Sequence, residues 1–448
     1  MTAEIAILNK TAVALAADSA VTISAGSREE KIFDSADKLF ELSNHNPIGV
    51  MLYNGMSFMQ IPLPELVRAF REKCCAVNKI EEVGELFLEY LSNIGKEAPR
   101  NIQMNHLSYL IRPVIVGVVN RFKENMEEEI EKYFKESRDL SKIKVEDIAP
   151  KILDSAIETF EKLLSGRKNA QFVGASKLTF TKARLSFIQK TIEQEVPAVA
   201  NKNQKARILS LVKQILEKDF LSRSKTGVVI AGFGRNEIFP TLVSYEIDGM
   251  VFGHLKYKVT NNVDIDRNGP KARVIPFAQK EMVERFLYGL DDNIRSDITK
   301  FCRETIPGIR TQIFEKLDFP DDESRDALEE DAKRAEAEFM KGLRSTAFEK
   351  IRSESRAEIE DMVEFMPKPE LATMAEALVN LTSIKRRVSR GMETVGGPID
   401  VAVISQSEGF VWVKRKHYFP AELNSRYFER VRERLSRKEV PGGENEQP

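Results

Sequence analysis

Thr2 has a chemistry available to it that comes from its position. Removal of Met1, which a small second residue permits, would leave a hydroxyl and a free α-amine on one residue. The hydroxyl can attack an acyl carbon while the amine, with a pKa near neutrality, takes the proton. Three further residues stand at the ends of short apolar runs or inside them. Asp18 follows the run at 11–17, Lys38 lies within 36–42, and the run at 48–53 stops at Asn54-Gly55.

Such residues need a rigid support, and the surrounding pattern supplies one. Residues 3–8 and 11–17 are small or β-branched apolar runs on either side of Asn9-Lys10, which predicts a tight hairpin with both strands buried. A buried strand beginning at residue 2 is unusual, because chain ends fray unless something holds them. After Gly55 the period changes to helical, with Pro62-Leu63-Pro64 introducing one helix and a second predicted over 80–94. Helical periodicity then continues from about 97 to 223. Strand patterns return at 226, and a helix is expected from Pro276, with proline in its first turn. Residues 291–368 are again helical and densely charged. Within them Leu328, Ala332, Ala335, Phe339, Leu343 and Phe348 lie near coiled-coil spacing, as a solvated arm or a partner-binding one. A helix over 372–390, two strands after Gly396-Gly397, a charged helix over 421–437 and a disordered tail complete the pattern.

These residues resemble the N-terminal-nucleophile hydrolases, specifically the proteasome β subunits and the bacterial protease HslV. Thr2 matches the family's nucleophile, Asp18 its acidic residue after the second strand, Lys38 its lysine, and Gly55 the glycine whose N–H contributes to the oxyanion hole. The likeness returns at 228–234 with 240–249, similar to the family's central antiparallel pair and closing Asp-Gly turn, and at the Gly-Gly turn and strand of 395–404. The resemblance implies an α+β fold, an αββα four-layer sandwich of antiparallel sheets. Its core would comprise 2–96, 224–290 and 369–420, with all-helical insertions at 97–223 and 291–368 and a C-terminal helix and tail at 421–448.

The same resemblance implies a threonine-type peptidase or amidase. Lys38 would ease deprotonation at Thr2, Asp18 would hold Lys38 charged and oriented, and the Gly55 N–H would stabilise the oxyanion. Substrate would add as a strand near residues 20–26. Relatives form rings and receive protein substrate from a partner ATPase, so a homo-oligomer with such a partner is the corresponding expectation. Two supporting positions depart from the family: Arg273 falls about where a serine is usual, and Met392, beside Glu393, where an aspartate is usual. The alternative is therefore an inactive proteasome-fold scaffold that binds a protein through its helical insertions.

Composition agrees with a large soluble chain and removes other classes. Of 448 residues, 68 are basic and 69 acidic, so no global field favours nucleic acid or an anionic membrane. The absence of a signal segment and of a long apolar run points to a cytoplasmic protein. Cys74, Cys75 and Cys302 fit neither a disulfide framework nor a metal spacing, and His45, His106, His254 and His417 are scattered. Gly232-Phe233-Gly234 and Gly396-Gly397 lack the rest of a phosphate loop. Neither a cofactor nor a metal is expected.

Overall fold

The computed structural model describes residues 2–25, 28–74, 76–137, 145–175, 177–222, 224–388 and 396–438. In the opening hairpin, β1 (Ala3–Asn9) pairs antiparallel with β2 (Val13–Ala17), and every residue of both strands is buried. Next, β3 (Val21–Ala25) and β4 (Arg28–Phe33) form a separate two-stranded ribbon, while β5 (Leu39–Glu41) and β6 (Ile48–Asn54) pair with each other. The small ladder of β7 (Ser57–Phe58) and β8 (Ile61–Pro62) leads into α1 (Leu63–Lys73) and α2 (Ile80–Glu97). Four helices follow: α3 (Arg100–Ser137), α4 (Val145–Ser165), α5 (Lys182–Glu195) and α6 (Lys202–Glu217), with the short β9 (Gln171–Phe172) after α4. The chain then forms β10 (Thr226–Gly232), β11 (Thr241–Val251), β12 (His254–Asp264) and β13 (Ala272–Ala278). A second helical run comprises α7 (Glu281–Tyr288), α8 (Asp292–Phe314), α9 (Asp322–Gly342), α10 (Glu349–Glu364) and α11 (Lys368–Val388). The last described elements are β14 (Asp400–Ser405), β15 (Gly409–Lys414) and α12 (Ser425–Lys438).

Two antiparallel sheets result, one ordered β13-β1-β2-β14-β15 and the other β5-β6-β10-β11-β12-β9. Strand alternation decides what each face meets. From β1, Ala6 and Leu8 point toward the second sheet, where Met51, Tyr53, Val229 and Ala231 pack against them. Ile5 and Ile7 point the other way, onto Val283, Leu371 and Leu378 of α7 and α11. Val50, Leu52, Val228 and Ile230 turn the far face of the second sheet onto Leu66, Phe70, Val83 and Phe87 of α1 and α2. The chain is thus a mixed α+β protein, layered helix, sheet, sheet, helix.

Helices α3–α6 enclose a core of their own, in which Ile111, Ile115, Leu153, Ile157, Ile188 and Leu211 are buried together with Val251 from β11. Lys256 of β12 joins that unit to the sheet. Its buried ammonium donates to the carbonyls of Ile215 and Phe220 at 2.8 and 2.7 Å, and burial pulls its pKa down to about 8. In contrast, α8 and α9 bury no residue at all, so the coiled-coil spacing of Leu328 and Phe339 leaves both side chains exposed.

Three expectations need correction. The segment beginning at Pro276 is the end of β13, and the helix starts only at Glu281. Proline is tolerated because β13 is an edge strand, where a missing N–H breaks no second ladder. Asp248-Gly249 is not the closing turn of a hairpin either. It forms an irregularity within β11, and the reversal falls at Phe252-Gly253, where both residues have positive φ (54° and 87°). Of the residues near 20–26, those of β3 do not edge a main sheet, since they pair with β4 in a separate ribbon, and residue 26 lies outside the described residues. Met392, Glu393, Cys75 and the tail beyond 438 lie outside the described residues.

The turn between β1 and β2 is held from two sides by Asn9, which is fully buried. Its Oδ1 accepts from the N–H groups of Thr11 and Ala12, and its Nδ2 donates to the carbonyls of Val363 and Met366 where α10 gives way to α11. Asn9→Ala would take a partner from the Met366 carbonyl and from the turn N–H groups, while the Val363 carbonyl keeps the Met366 N–H, at roughly 1–3 kcal/mol for each buried group so orphaned. A loss of about 2–3 kcal/mol in urea unfolding is the expected result.

Candidate active site

Thr2 precedes β1 and is anchored by its own carbonyl, which accepts from the Gln279 N–H at 3.3 Å. Its side chain is buried. The N–H of Asn54, at the end of β6 and with φ of +62°, reaches Thr2 Oγ1 at 3.5 Å. Asp18 directly follows β2 and is locked by three donors. The Ala3 N–H reaches its Oδ1 at 3.3 Å, the Gly396 N–H reaches its Oδ2 at 3.1 Å, and the Lys38 ammonium binds Oδ1 at 2.5 Å. The Gly-Gly turn can approach this closely because Gly397, at φ +75°, has no Cβ; one built there would fall 2.5 Å from the Asp34 carbonyl. Lys38 itself is 1% exposed and is fixed by its carbonyl, which accepts from the Leu52 N–H of β6 at 2.8 Å. Thr2, Asp18 and Lys38, spread over 37 positions of sequence, thus meet in one buried cluster.

Gly55 differs from expectation. Its N–H donates to the Lys225 carbonyl at 3.2 Å, and its carbonyl accepts from Thr226 Oγ1 at 3.0 Å. The pairing of Asn54 with Thr226 across β6 and β10 places the strand end so that the preceding N–H, that of Asn54, is the one directed at Thr2. Arg273 is also misplaced by sequence counting. It lies opposite Leu8 in the β1–β13 register and binds Glu360, whereas Ala278 lies opposite Ala3, so Gln279 is the residue alongside Thr2. The error follows from the late start of α7, which shifts every position counted back from it. The Gln279 amide oxygen accepts from Arg386 of α11.

One member of the cluster escaped the sequence reading. Glu4 is two residues from Thr2 on the same face of β1, at a position equivalent to Ala6 and Leu8, and is 0% exposed. Its carboxyl stands 3.6 Å from the Lys38 ammonium, longer than a hydrogen bond, and among the described residues neither oxygen has a hydrogen-bond partner. Burial pushes its pKa up to about 8, with the Lys38 charge opposing, Asp18 adding to the rise, and the Thr2 hydroxyl pulling it down. The available signal was a charged residue interrupting an otherwise apolar buried strand. A cleft of about 330 Å³ lies beyond this cluster, lined among others by Ser57, His106, Tyr109, Thr226 and Gly249. Thr226 connects it to the Asn54 strand end.

No protein-family model matches this chain, and no curated protein does. Among solved structures it is similar to a Gly-1 mutant of Anbu from Hyphomicrobium sp. strain MC1, at 9% identity and a TM-score of 0.25, covering 99% of this chain and 100% of that one. At that score the likeness carries no weight, and the α+β class rests on the strand order and layers. Among the described residues, no helix is long and apolar enough to cross a membrane.

Proposed function

We propose that this chain is an N-terminal-nucleophile hydrolase of the proteasome β-subunit and HslV type, which opens peptide or amide bonds with Thr2 once the residue ahead of it is removed. The observation that carries the reading is the Asp18–Lys38 ion pair, buried beside Thr2 on a doubly covered sheet. An ammonium there favours the deprotonated hydroxyl, and Asp18 fixes its position. The Thr2 oxygen adds to the acyl carbon, the bond to nitrogen breaks with transfer of a proton to the amine product, and water then cleaves the ester. The Asn54 N–H, rather than that of Gly55, donates to the oxyanion, a contribution on the order of 2.7–4 kcal/mol to the barrier. The cleft containing Thr226 receives a substrate side chain. Residues 97–223 and 291–368 are insertions into the hydrolase core, and assembly into a homo-oligomer fed by a partner ATPase belongs to the same reading.

Intact-mass measurement after incubation with a peptide epoxyketone tests it. The expected result is a chain lacking Met1 with one adduct on Thr2, absent from Thr2→Ala. A chain that keeps Met1 and takes up no adduct would replace this reading with the scaffold one.

A further inference from the structure

Apart from the Thr2 cluster, and sharing no residue with it, an open cleft of about 410 Å³ lies where α10 packs against α7 and β13. Three guanidinium groups line it: Arg273 from β13, and Arg352 and Arg356 from α10. Arg352 and Arg356 are four residues apart, so they share one face of the helix, where like charges repel. Both also stack on one ring, that of Tyr288 in α7, at 5.7 and 5.4 Å from its centroid. The Tyr288 hydroxyl donates to the Val274 carbonyl at 3.4 Å, which fixes the ring against β13. Repulsion between two cations held this way falls when an anion sits between them.

The chain's own carboxylates leave one of the three cations over. Glu360 binds Arg273, and Glu284 accepts from Arg352 Nη2 at 3.2 Å. Glu349, which also lines the cleft, faces Arg295 of α8 at 3.8 Å. Among the described residues, Arg356 meets a carboxylate only at 3.9 Å, from Nε to Glu360 Oε1, too far for a hydrogen bond. Both of those atoms, and Arg352 Nε as well, are shielded from water and have no hydrogen-bond partner among the described residues. Buried polar atoms are normally paired, so this network is not closed by the chain itself.

We infer that the cleft binds a phosphate group, free or carried on a small ester, between Arg352 and Arg356. Guanidinium forks match phosphate oxygens two at a time, and such charge-assisted bonds are stronger than neutral ones. A phosphate group, with close to two negative charges, suits a pair of guanidiniums better than a singly charged carboxylate does. Both side chains are partly exposed, 28% and 42%, so their forks have room to turn toward the ligand. The volume falls at the small end of the range for ligand sites, enough for a phosphate with a short organic group.

Calorimetry and thermal melts of the full chain test this with inorganic phosphate and glycerol 3-phosphate, against sodium chloride and sodium acetate at equal ionic strength. At least one phosphate should bind as a single molecule per chain and raise the melting midpoint above that in either control; the tighter of the two identifies the source. Arg356→Met should weaken that binding on the order of 10-fold or more. Should this variant fail to fold, Ala357→Glu decides, because it sets a carboxylate at an exposed position lining the cleft and should abolish binding. Phosphates acting no more strongly than chloride or acetate would overturn the inference. So would phosphate binding that is undiminished in Ala357→Glu. Neither result touches the hydrolase reading, since Thr2 takes no part in the measurement.

Discussion

Lys38→Met should lower stability by about 3–5 kcal/mol and abolish Thr2 acylation. The Lys38 ammonium stands between Asp18 at 2.5 Å and Glu4 at 3.6 Å, with all three side chains cut off from water. Methionine fills much of the same volume but leaves two carboxyls together with no cation. Asp18 keeps the N–H groups of Ala3 and Gly396, so most of the loss falls on Glu4 and is largest above about pH 8, where Lys38 otherwise supports its ionised carboxyl. Adding Glu4→Gln to Lys38→Met should therefore restore a large part of the stability without restoring acylation. Urea unfolding of the two single variants and the double one measures this directly. Additive losses would mean that Lys38 and Glu4 do not sense each other.

The second large effect is in the dependence of stability on pH. Glu4 has a pKa of about 8 in the folded chain against 4.5 ordinarily. Below about pH 4.5 its carboxyl is protonated in both states and burial of the neutral acid is tolerated. As pH rises, the unfolded chain releases that proton while the folded one holds it, so stability falls progressively until about pH 8. At about 1.4 kcal/mol per pH unit, the interval between 4.5 and about 8 sets a ceiling of roughly 5 kcal/mol on this loss. Glu4→Gln has no proton to release, and its stability should exceed that of the parent by a margin that widens from pH 5 to pH 8. Urea midpoints at pH 5, 6.5, 8 and 9 for both proteins test the sign. Every other titrating group is common to the two, so parallel curves would mean that Glu4 ionises normally in the folded chain.

Both predictions involve residues that the sequence disclosed to different degrees. Asp18 and Lys38 were legible because each interrupts or ends a run of apolar residues, and a polar group at such a place has a partner or a task. Glu4 was equally visible as a charge inside β1, but the pattern of one strand does not tell which groups of other segments will stand opposite it. Gly55 shows a finer limit. The strand end was located correctly, yet which of two neighbouring N–H groups points at Thr2 depends on the pairing of Asn54 with Thr226, 172 positions away. Arg273 and the helix expected at Pro276 failed for one reason: Pro-Phe-Ala-Gln reads as a helix start only until an adjacent strand is known to need an edge partner.

By itself, the sequence determined the opening hairpin, the helical character of the long middle stretches and the return to strands near 226 and 400, because local periodicity and turn chemistry act over a few residues. Only the tertiary structure decided which elements cover the two faces of the first sheet, that Asp18 is wrapped by the Gly396 turn, and that Glu4 faces Lys38 with no other donor among the described residues. Burial and charge proximity are sums over segments far apart in the chain, and the ionisation of a carboxyl is set by those sums rather than by its neighbours in sequence.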